Sequence, residues 1–181
     1  MPDLTNSLRD SLHPSRHEGM DESQRTFDCN IMAFGPGSTG WCVGVSEATR
    51  AAGSGVRKPT EPDKRLITYV DVHLAPLRGF SVIFHMYGLE GTPDHLRTAH
   101  DYAPYLHGLV LFPGPADRDP WRDAKAIIPL LSETCPVFVH TEDPALLGVG
   151  RATFSLGARH TGPLQTLKPI ARILLSPLRF R

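Results

Sequence analysis

The sequence predicts an open α/β sheet, mostly parallel, with one antiparallel edge hairpin and helices on both faces. Three observations predict it. Short apolar runs of strand length alternate with helix-compatible stretches, a glycine turn joins the first run to the first helix, and two alternating runs in the middle are joined by the short link "APLRG".

Residues 1–25 are polar, of mixed charge, and almost without aliphatic periodicity, which predicts a disordered extension ahead of a single domain over 26–181. "TFDCNIMAF" (26–34) reads as a buried strand that ends at the glycine turn. "WCVGVSEATRAA" (41–52) has helix-compatible spacing weakened by Gly44, and "GSGVRKPTEPDK" (53–64) is a turn-rich loop. "LITYVDVHL" (66–74) and "FSVIFHMYG" (80–88) form the hairpin. "TPDHLRTAHDYAPYL" (92–106) is a helix with Thr92 as N-cap, Pro93 at its first position and Pro104 ending or kinking it. "HGLVLF" (107–112) and "CPVFVH" (135–140) are buried strands, separated by the loop "PGPADRDP" and a helix over 121–134 with a proline inside. "TEDPALLG" (141–148) is a loop leading into a short helix, and "TGPLQTLKPIARILLSPL" (161–178) is a terminal amphipathic helix.

Hydrophobic residues make up 40% and charged residues 21%, the range of ordinary globular chains. A formal net charge of +0 argues against nucleic acid or an anionic membrane as the main partner. No apolar run is long enough to span a bilayer, and the N-terminus lacks a secretory h-region, so a cytoplasmic protein is expected. Cys29, Cys42 and Cys135 share no CxxC spacing and read as buried thiols. Of the nine histidines, His95, His100 and His107 fall in one helical region but lack H-x-x-x-H spacing, so no metal site is expected.

The chemistry-bearing stretch is "FGPGSTGWCVG" (34–44). Gly35 and Gly40 have the spacing of a phosphate-binding loop, G-x-x-x-x-G-K-[ST], and the turn lies at a strand's carboxyl end, where α/β sheets bind ligands. Trp41, however, stands where the lysine belongs, and Cys42 where the metal-binding hydroxyl belongs. If nucleotide binding is retained, the candidates here are Gly35, Gly37, Ser38, Thr39, Gly40, Trp41 and Cys42. The bland alternative is a tight strand-to-helix turn. A third reading gives Cys42 a reactive thiol, with a pKa lowered by the helix N-terminus.

Four stretches together resemble the Ras-like small GTPases, specifically the bacterial MglA-type branch associated with cell polarity and gliding motility. They are "FDCNIMAFGPGSTG", "TEPDKRLITYVDVHLAPLRGFSVIFHMYG", "HGLVLF" and "TGPLQTLKPIARILL", spanning roughly residues 27–176. The resemblance lies most in the "RGF…FH.Y" hairpin and "G.L.TLK.I". It implies a Ras-like P-loop fold, and it places the family's functional positions on residues of different chemistry. The family's switch-one Arg-Thr pair, an intrinsic arginine finger and a second metal-binding hydroxyl, falls on Lys64 and Arg65. "TVPGQ" falls on "GLEGT", which keeps Gly91 but puts Thr92 in place of the Gln that positions water. The base-reading N-K-x-D falls on His140-Thr141-Glu142-Asp143, where Asp143 survives as a guanine reader, a solvated loop carboxylate or a helix cap.

Phosphoryl transfer depends on positioning and charge neutralisation. A chain lacking the lysine, both metal-binding hydroxyls and the Gln is expected to be a pseudo-GTPase, with no catalytic residues and no tightly bound Mg²⁺. The resemblance implies an interaction module, with roadblock/LC7-type regulatory dimers or a true small GTPase as partner. The partner surface would be the switch-like loop 56–65 with Lys64 and Arg65, the hairpin edge, and the segment 88–95 with Gly91 and Thr92. The alternative is a protein that binds GTP or GDP without Mg²⁺ and turns it over slowly, with Lys64 or Arg65 replacing the missing lysine.

Overall fold

The computed structural model describes residues 26–51, 68–77, 80–114, 119, 121–141, 143, 145, 153–156 and 163–176. The extension predicted over 1–25 and the loop over 53–64 lie outside the described residues. The elements are β1 (Thr26–Phe34), α1 (Ser38–Ala51), β2 (Thr68–Leu77), β3 (Phe80–Leu89), α2 (Pro93–Tyr102), β4 (Gly108–Leu111), α3 (Ala124–Ile127), β5 (Val137–Val139), β6 (Thr153–Ser155) and α4 (Pro163–Leu174).

They build one sheet in the order β2-β3-β1-β4-β5-β6. The run β3-β1-β4-β5-β6 is parallel throughout, and β2 pairs antiparallel with β3 at the edge. The pleat sorts the strand residues between two cores. Cys29, Ile31 and Ala33 of β1 join Phe84, Met86, Val110 and Phe138 beneath α1 and α4. Met32 and Phe34 join Leu89, Leu109, Leu111, Val137 and Val139 beneath α2 and α3. Helices therefore cover both faces, which explains why the central strands read as apolar runs rather than alternating ones.

Several boundaries differ from the sequence reading, each for a local reason. Helix α1 starts at Ser38, not Trp41, because Glu90, from outside the helix, caps its first turn. β2 extends to Leu77, with Pro76 tolerated at a register shift between Leu74 and Leu77 on an edge strand. The helix expected over 121–134 shrinks to Ala124–Ile127 and a 3₁₀ turn at Ile128–Leu130, since Pro129 removes a donor and crowds the preceding turn. The strand expected over 135–140 is reduced to β5, and β6 has no counterpart in the sequence reading. Thr92 does cap α2, accepting from His95 N at 3.3 Å, and the helix stops before Pro104. Among the described residues, no helix is long and apolar enough to cross a membrane.

Candidate functional site

The turn between β1 and α1 is built from glycine because two positions require left-handed backbone: Gly35 at φ 113° and Gly37 at φ 85°. Gly35 N donates to Leu89 O at 2.9 Å and Ser38 N donates to Gly35 O at 3.1 Å, so the turn is fastened to β3 and to itself. On the other side, Phe112 N donates to Phe34 O at 2.8 Å. This leaves the first turn of α1 with outward-facing N–H groups and no side chain on Gly37 to cap them.

The cap comes from β3. Parallel pairing sets Leu89 opposite Phe34, so the next residue, Glu90, emerges beside the turn. Its carboxylate accepts from Gly37 N (Oε2, 2.9 Å) and from Thr39 N (Oε1, 2.9 Å). Partial burial pushes the Glu90 carboxyl up. Hydrogen bonds from Gly37 N, Thr39 N and the Thr39 hydroxyl, together with the charge of His95, outweigh that and hold it below the usual carboxylate range. The N–H groups and helix dipole that would cradle a phosphate thus hold a carboxylate belonging to the chain itself.

Trp41 and Cys42 face inward. Trp41 is 8% exposed and packs in the core, its ring centroid 5.8 Å from that of Phe112. Phe112 in turn stacks on His140 at 4.7 Å and 22°, so three rings run across the carboxyl ends of β4 and β5. Burial lowers the His140 pKa and favours the neutral imidazole there. Ser38 Oγ and Trp41 Nε1 are buried without hydrogen-bond partners among the described residues. Such groups cost about 1–3 kcal/mol each, a penalty the apolar packing around them must offset.

The reactive-thiol reading of Cys42 is overturned. The side chain is fully buried, and desolvation, with Glu90 adding to it, drives the thiol well above its ordinary value. Burial does the same to Cys29, and Cys135 is buried as well. Native labelling with a thiol reagent is expected to be slow at all three cysteines and fast after unfolding in urea. Selective rapid modification of Cys42 in the folded protein would contradict this.

Of the remaining sequence candidates, Gly91 and Gly40 lie beside or on the turn, and the others do not converge on it. Gly91 adopts φ 79° next to the turn, and Thr92 is committed to capping α2. Gly40 lies exposed on the first turn of α1. Asp143 accepts from Ala145 N at 2.9 Å and donates its own N–H to Thr141 Oγ1 at 3.1 Å, so it caps its own loop. His95 is buried, His100 is exposed, and His107 accepts from Asn30 N, so these three do not meet. Lys64 and Arg65 lie outside the described residues, as does Glu142.

A small cavity of ≈ 160 Å³ opens beyond the carboxyl ends of β1, β3 and β4, lined in part by Gly35, Glu90, Phe112, Asp119 and Arg122. Its charged groups are already engaged: Asp119 binds Lys125 Nζ at 2.6 Å, and Arg122 Nε lies 3.3 Å from Asp123. A Mg²⁺–nucleotide does not fit this donor set. The N–H groups of the turn hold a carboxylate, and Cys42, which the motif spacing would align with a metal-binding hydroxyl, is a buried, protonated thiol, whereas Mg²⁺ seeks exposed hard oxygen.

Sequence reasoning missed Glu90, although a signal for it existed. An acid at the end of the strand next to a glycine turn that carries no lysine is the residue best placed to satisfy that turn. No protein-family model matches the chain, and no curated protein matches it.

Proposed function

We propose that this chain is a pseudo-GTPase of the MglA-like, Ras-like kind, acting as a protein-interaction module with little or no GTP hydrolysis. One observation carries the reading: the Glu90 carboxylate sits on Gly37 N and Thr39 N, where a nucleotide phosphate would be held. A second anion brought to the same donors meets a fixed negative charge, and no lysine stands at position 41 to offset it. The inward-packed Trp41 and the Phe112–His140 stack support the same view, since these side chains serve packing rather than phosphate or base. On this reading the partners are a roadblock/LC7-type regulator or a true small GTPase, met in the cytoplasm, in a pathway such as cell polarity or motility.

The test is a titration of the full chain with fluorescent GTP and GDP, with and without Mg²⁺. No saturable binding is expected up to high-micromolar nucleotide. Mg²⁺-dependent saturation accompanied by phosphate release would overturn the proposal. Mg²⁺-independent saturation without turnover would replace it with a nucleotide-sensing role.

A further inference from the structure

We draw no further inference here: the strongest candidate, the side-chain cluster on β1 and β3 in which Asp28 meets His85 at 3.2 Å and the buried Asn30 stands in register with His85, carries nothing because among the described residues no three His, Cys, Asp or Glu side chains gather to hold a metal ion.

Discussion

Replacing Gly35 with alanine is expected to destabilise the protein by about 3 kcal/mol or more, a large part of the 5–15 kcal/mol that holds a typical domain together. Two effects add. Backbone at φ 113° is costly for any residue with a Cβ, on the order of 1–3 kcal/mol. The new Cβ would also lie 2.2 Å from the carbonyl oxygen of Phe112. That oxygen is backbone, so it cannot swing away as a side-chain tip would. Relief requires parting β1 from the chain that follows β4, which strains the Phe112 N to Phe34 O bond. Gly40→Ala is the control: nothing lies within 4 Å of the methyl group it would gain, and alanine favours the helix by up to about 1 kcal/mol. Urea unfolding of both variants is the measurement. A Gly35→Ala midpoint close to that of the native chain would refute the strain argument.

Glu90→Lys is expected to cost about 2–4 kcal/mol at neutral pH. It removes two charge-assisted hydrogen bonds, reduced by their partial exposure to water, and sets a cation against the positive end of α1. Glu90→Gln, which keeps one acceptor oxygen, should cost less. The pH dependence separates charge from packing. The folded-state pKa of Glu90 lies below its ordinary 4.5, so its contribution is fully present above that value. It is lost as pH falls through the lowered folded-state value. The stability gap between native chain and Glu90→Gln should therefore be flat at neutral pH and close under acid. A gap that persists unchanged into strong acid, or that is absent at neutral pH, would mean that the carboxylate does not cap the helix. In Glu90→Ala the freed N–H groups should accept an external anion, and inorganic pyrophosphate should then raise the melting temperature of that variant but not of the native chain.

Much of the fold was legible because its signals are local. β1 ends where the glycine turn begins, Thr92 and Pro93 announce α2, and continuous apolar runs announce strands covered on both faces. What was not legible depends on distant partners. β6 is three residues long and exists because β5 offers an edge, with Thr153 opposite Val137. The role of Glu90 depends on the β1–β3 register, which joins residues more than fifty positions apart. Cys42 is buried as its apolar reading expects, and the reactive-thiol alternative fails for a different reason. Its place near a helix N-terminus suggests a lowered pKa, but Trp41, Cys42, Val45 and Thr49 share the buried face of α1, and desolvation outweighs the dipole. That face was readable from helical spacing alone.

The carboxylate in the cradle also changes what kind of variable occupancy is. A diffusing phosphate competes at its cellular concentration, whereas a tethered group competes at an effective concentration of millimolar or more. Glu90 is tethered by a paired strand rather than a flexible linker, which strengthens its advantage. On the proposed reading, mass action at this turn is decided when the chain folds and does not follow nucleotide supply. The signal such a protein conveys is then its copy number, set by synthesis and degradation rather than by exchange and hydrolysis.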